Sequence, residues 1–296
     1  MKPPSELALK DPSVEEWTDV HFFRPLGIRV ARALGPTGVT ADEVTLAALA
    51  LGLVAGHLVV YASVWLNLLG VAGLVASDVL DSADGQLARL RGTSTRFGRV
   101  LDGLSDMLRF LNLYVHLLVR MTHGLGWGWP AAALVALVIW SHSLQGAAVD
   151  FIKNVYLEIG EGRGGEADLP EDVAAGGLPR AARRLYAAYV REQVTLFPAT
   201  YRMLQEVRRG GRDAALGAAW EERQAGLLPV LTLIATNVRF ALLAGAVLAG
   251  HPVWFLYATV VPMNAVLAAV VVVHERRTRA VVRGLRGPVP EPAVAG

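Results

Sequence analysis

The chain has 296 residues, of which 53% are hydrophobic and only 18% charged, with a mean hydropathy of +0.41; a soluble domain carries about 25% charged residues. This composition points to lipid and excludes a disordered chain, a nucleic-acid binder and an ordinary cytosolic enzyme. The lack of cysteine excludes disulfide scaffolds, cysteine zinc sites, iron–sulfur clusters and thiol catalysis, and the net charge of +2 says less than the positions of the basic residues.

Residues 13–34 predict an amphipathic helix. Trp17, Val20, Phe23, Leu26 and Val30 fall at helical spacing, Arg24, Arg29 and Arg32 lie off that stripe, and Ser13 with Glu16 forms a capping-box pattern. Such a helix lies in the headgroup plane or packs on the protein's own cytoplasmic face. A membrane helix needs roughly 20 mostly apolar residues, and six stretches approach this, at 44–65, 67–89, 97–121, 129–153, 227–248 and 252–274. The second and third carry acids at their facing ends. The long segment 158–224 opens Gly-rich and acidic, turns basic and helical after Pro179, and predicts a cytoplasmic insertion.

Short cytoplasmic loops are enriched in Lys and Arg. Lys10, Arg24, Arg29 and Arg32 precede the first span, Arg89, Arg91, Arg96 and Arg99 lie between the second and third, the arginine-dense insertion follows the fourth, and Arg276, Arg277, Arg279, Arg283 and Arg286 follow the sixth. The alternate loops are nearly free of basic residues. The expected protein is all-α and polytopic with six transmembrane helices and both termini cytoplasmic. It divides into an amphipathic segment (1–40), spans one to four (41–157), the insertion (158–224), spans five and six (225–275) and a basic tail (276–296). No cleavable signal peptide is expected.

Ionisable groups inside a span are costly and are functional candidates by default. Asp81 and Asp84 are three residues apart, Asp102 and Asp106 four apart, so each pair shares a helix face. The short 90–97 loop makes the two helices antiparallel neighbours and brings four carboxylates to one depth. In a low-dielectric setting they would repel, so some are protonated or cations sit among them. Oxygen-only ligands suit Mg²⁺, Mn²⁺ or Ca²⁺. Gly85 and Gly98 allow close approach of a ligand, and Arg89 is able to hold a pyrophosphate. The pattern describes a metal-dependent phosphate site. A cation or proton transporter is the rival from another class, although it has no need of Gly85, Arg89 and Gly98; a catalytically dead scaffold is a third. Asp78 reads as an acid snorkelling to water. His116 and His142 read as packing residues, and Asn237 and Asn264 as interhelical hydrogen-bonding groups.

The run Asp81-Ser-Ala-Asp84-Gly85-Gln-Leu-Ala88-Arg89, followed after eight residues by Gly98 and then at intervals of four by Asp102 and Asp106, resembles the signature of the CDP-alcohol phosphotransferase family at all its fixed positions. The Gly38–Thr45 run also resembles that family's approach to its first span, departing at Ala41 and Asp42, where Pro and Asn are usual. The resemblance implies six membrane helices and a cytoplasm-facing site. It makes Asp81, Asp84 and Asp102 the main ligands of two divalent ions (Mg²⁺ or Mn²⁺), with Asp106 as a further ligand and the general base. It assigns Gly85, Ala88, Arg89 and Gly98, with Asp81, to the nucleotide pocket. It implies transfer of a phospho-alcohol group from a CDP-alcohol, CDP-diacylglycerol in the commonest version, to an acceptor hydroxyl with release of CMP. Lys153 and Arg239 are the basic residues expected to hold the acceptor. The Gln86-Leu-Ala88-Arg89 stretch resembles the form found in choline and ethanolamine phosphotransferases, which keeps a CDP-aminoalcohol donor with a diglyceride or ceramide-like acceptor in play. The resemblance also allows a homodimer, and it includes no nucleic-acid partner.

Overall fold

A computed structural model describes residues 14–93, 95–160, 162, 165–175, 179–210 and 214–285. Ser13, the expected cap of the N-terminal helix, lies outside them. Among the described residues the chain is helical throughout with no strand, so the all-α expectation holds. Two units are described separately: residues 1–143 with 236–263, and 144–235 with 264–296.

In the first unit a π-helical stretch, Asp19–Phe23, leads into α1 (Arg24–Leu34). Trp17, Val20 and Phe22 at the start of this segment are exposed, while Gly27 and Ala31 of α1 are buried, Ala31 beside Val44, Ala83 and Leu87. The helix α2 (Ala41–Leu58) starts on Thr40, whose hydroxyl accepts from the Glu43 N–H while the Glu43 carboxylate accepts from the Thr40 N–H. This capping box secures the helix start despite the unusual Ala41 and Asp42. The helix α3 (Val64–Arg91) ends on Gly92 in the left-handed conformation, φ +67°, which glycine adopts without a steric cost. Three residues later Thr95 caps α4 (Arg96–Val119) through the Gly98 N–H. Arg91 donates to the carbonyls of Leu34, Gly35, Thr37 and Val39, satisfying acceptors at the end of α1 and along the connection to α2.

Close packing of α2 against α3 and α4 depends on small residues. A Cβ on Gly52 would lie 2.5 Å from Arg109 Cδ and 2.9 Å from Ser77 Oγ, and one on Gly70 would lie 2.9 Å from the Ala55 carbonyl oxygen. An apolar core of Leu74, Phe110, Leu113, Tyr114, Leu117 and Leu243, among others, joins α3 and α4 to α11 (Thr236–Leu248) and α12 (Pro252–Val260). The helices α5 (Trp129–Val155) and α13 (Pro262–Leu285) belong partly to each unit.

The second unit contains most of the insertion: α6 (Pro170–Ala175), α7 (Arg180–Leu196), α8 (Pro198–Gly210), α9 (Ala214–Gln224) and the short α10 (Leu228–Leu231). Glu275 of α13 accepts from the Ala199 and Thr200 N–H groups and the Thr200 hydroxyl, capping α8. Arg208 forms a two-pronged pair with Glu158 and a second pair with Asp172. These partners push the Arg208 guanidinium above its ordinary pKa, the Glu158 hydrogen bond being the largest cause.

Five helical stretches are long and apolar enough to cross a membrane: Ala41–Leu58, Val64–Arg91, Trp129–Gly160, Ala214–Leu248 and Pro252–Gly284. The protein is therefore an integral membrane protein. At 24 residues α4 has the length of a span, but Arg96, Arg99, Asp102, Asp106 and Arg109 lower its apolar character. Those same charges carry the candidate site.

Candidate active site

The site is built on the C-terminal third of α3 and the first half of α4. The Gly92 stop and the Thr95 start turn the chain back within four residues, so Asp81 and Asp84 face Asp102. One oxygen from each of these three carboxylates lies within 4.8 Å of the others. Asp84 is almost fully buried, and its Oδ2 accepts a 2.5 Å hydrogen bond from Thr45 of α2. Asp106, also expected to be a ligand, stands outside this triad; its carboxylate accepts from Arg109, one turn further along α4.

Arg109 is the residue that sequence reasoning missed. It is 4% exposed and donates to Ser77 at 2.8 Å, Asp78 at 3.0 Å, Asp81 at 2.9 Å and Asp106. One cation among the carboxylates is thus supplied by the chain itself. The i,i+3 spacing of Asp106 and Arg109 was the visible signal. Asp78, expected to reach water, pairs instead with this arginine and its side chain is 11% exposed. Gly52 lets Arg109 in, since any Cβ there would meet its stem.

Arg89 follows Gly85 by one turn. A Cβ on Gly85 would lie 3.3 Å from a terminal nitrogen of the Arg89 guanidinium, so the glycine gives this cation room over the helix. Arg89 interacts electrostatically with Asp84 and Asp102. Ala88 is half-buried between them in sequence. At Gly98 a Cβ would sit 3.7 Å from an Asp42 oxygen and 3.3 Å from Thr95 Oγ1. The five carboxylates at 78, 81, 84, 102 and 106 outnumber the two guanidiniums at 89 and 109, which leaves the cluster with a deficit of positive charge.

Of the two expected acceptor residues, Arg239 lies in the first unit and Lys153 in the second. Arg239 is 1% exposed on α11; it hydrogen-bonds Tyr114 and approaches the Met263 sulfur at 3.7 Å. The Tyr114 hydroxyl also meets His142 Nδ1 at 2.7 Å. Asn237 donates to Glu16 and Asp19, and Asn264 accepts from Gln145, both linking separate segments as expected. Gln86 is fully buried and donates to the Arg24 carbonyl and Ser82. It packs α1 against α3.

Together these features define an integral membrane protein with a polar, net-acidic site framed by its first helices. Residues 39–170 match the CDP-alcohol phosphatidyltransferase family. No curated protein matches the chain. The match spans the whole carboxylate cluster.

Proposed function

We propose that the protein transfers a phospho-alcohol group from CDP-diacylglycerol to the hydroxyl of a small polar alcohol, releasing CMP, at a site facing the cytoplasm. The observation that carries this is the convergence of Asp81, Asp84 and Asp102 within 4.8 Å inside the segment that matches the family. The donor set fits a hard divalent ion. Every ligand atom is a carboxylate oxygen, no histidine or cysteine takes part, and the surrounding carboxylates outnumber the guanidiniums. Asp81, Asp84 and Asp102 would hold Mg²⁺ or Mn²⁺, two ions being expected, and bound there they would neutralise charge that develops on the transferring phosphate.

The other residues act on substrate and proton. Arg89, turned over Gly85, presents a planar cation to the phosphates of the nucleotide. Thr45 fixes the rotamer of Asp84 by its hydrogen bond, as groups behind ligating carboxylates commonly do. Asp106 accepts the proton of the attacking hydroxyl. Its side chain is 44% exposed, open enough for an acceptor to reach, and Arg109 orients it. The basic residues gathered in and before α1, at the facing ends of α3 and α4 and in the last turns of α13 support the cytoplasmic orientation.

The test is CMP release by purified protein with Mn²⁺, CDP-diacylglycerol or CDP-ethanolamine, and a panel of alcohol and diglyceride acceptors. CMP should appear with CDP-diacylglycerol and disappear on chelation. CMP release from CDP-ethanolamine alone would move the donor assignment to an aminoalcohol. No CMP from any pairing, together with cation flux in liposomes, would overturn the transferase in favour of a transporter.

A further inference from the structure

The N-terminal segment places a second arginine beside the proposed nucleotide site. Ser82, Gln86 and Arg89 lie at spacings of four and three on α3 and share one face. The start of α1 packs on that face: Gln86 Nε2 donates to the Arg24 carbonyl at 3.2 Å, and a Cβ on Gly27 would lie 2.8 Å from Ser82 Oγ. Only glycine at position 27 permits this approach. Arg89, at the end of the same face, interacts electrostatically with Arg24 and Glu15 as well as with Asp84 and Asp102.

The Arg24 guanidinium is held by Glu15 in a two-pronged pair, Nε to Oε2 at 2.8 Å and a terminal nitrogen to Oε1 at 2.9 Å. The two side chains are 14% and 7% exposed. This planar fork is the geometry in which arginine receives a carboxylate or a phosphate. Glu15 lies in a turn before the helical residues begin, so it can leave Arg24 without unwinding α1. The Glu15 carboxylate pairs with Arg24 and also acts on Arg89, and a diphosphate, carrying more charge than one carboxylate, would compete for the same guanidiniums.

We infer that Arg24 is a phosphate-binding residue of the nucleotide site and that Glu15 fills its fork as an internal stand-in for the diphosphate. This rests on the CDP-alcohol assignment of the site. Substrate binding would then exchange one anion for another on Arg24, and the N-terminal segment would sense nucleotide occupancy.

The charge exchange predicts effects of opposite sign. The full-length protein in nanodiscs with Mn²⁺ is titrated with CDP, which carries the diphosphate common to all donors, and with cytidine as a control. Arg24→Ala should weaken CDP about tenfold, a difference of about 1.4 kcal/mol, and leave cytidine unchanged. Glu15→Gln, which removes the competing anion and keeps the shape, should tighten CDP about threefold or more, the gain being set by the competing charge-assisted contact. A purely structural ion pair predicts weakening or no change in both variants. The assignment is overturned by a Glu15→Gln protein that binds CDP no better than wild type. It is equally overturned by an Arg24→Ala protein that binds CDP as well as wild type or loses cytidine in parallel. Absence of CDP binding to the wild type would overturn the nucleotide site itself and the role of Arg24 with it.

Discussion

Replacing Arg109 by alanine tests how the acidic cluster is held together. The guanidinium is nearly inaccessible and serves Ser77, Asp78, Asp81 and Asp106 at once. Alanine removes that cation and leaves three carboxylates facing one another. Breaking a buried ion pair by deleting one partner costs about 3–5 kcal/mol. The Asp106 side chain is 44% exposed, so solvent screens its share. Asp78 and Asp81, at 11% and 23%, carry most of the loss. The metal-free variant should therefore be less stable than wild type by about 3–5 kcal/mol. A ligand that binds only the folded state stabilises it by RT ln(1 + [L]/Kd), about 2.7 kcal/mol at one hundred times Kd. With more uncompensated charge, the variant should gain more from Mn²⁺ than wild type does. Unfolding of both proteins in detergent, in EDTA and in saturating Mn²⁺, measures the two differences. A variant that melts with wild type in EDTA would refute the compensating role. An equal gain from Mn²⁺ in both proteins would show that Arg109 and the metal do not answer the same charges.

Gly52→Ala touches no charged group, yet its Cβ would meet the Arg109 stem and Ser77; it should lower CMP release and stability in the same direction as Arg109→Ala, and normal activity would show that the stem repacks freely. Thr45→Val removes the hydroxyl that holds Asp84 and should weaken divalent-ion affinity about 10- to 100-fold, read by the Mn²⁺ dependence of turnover. Asp106→Asn should lose about 10²–10⁴-fold in turnover while Mn²⁺ still raises its melting temperature; near-normal turnover would remove Asp106 from the role of base.

The spacing of Asp81 with Asp84 and of Asp102 with Asp106 was readable because helical periodicity is a local property. The short glycine-containing turn between them was enough to predict antiparallel neighbours. What the spacing could not supply was the rotation of each helix about its axis. That rotation brings Asp102 into the triad and leaves Asp106 outside it, although both acids share a face of α4. Asp78 shows the same limit: one residue within a helix offers no clue to a partner 31 positions away on another helix.

Composition alone places the protein in a membrane, the order of residues shows how its basic groups are distributed, and helical spacing gathers a run of carboxylates, glycines and an arginine as candidates for one site. Each follows from composition or from contacts within a few turns. Only the tertiary structure decided which charges answer one another. Thr45 meets Asp84 across 39 positions, Arg109 reaches Asp78 and Asp81 through the gap left by Gly52, and Gly27 brings Arg24 beside the face that carries Arg89. These pairings depend on how closely helices approach, and that distance is set by side chains missing at glycines on one helix and present on its neighbour.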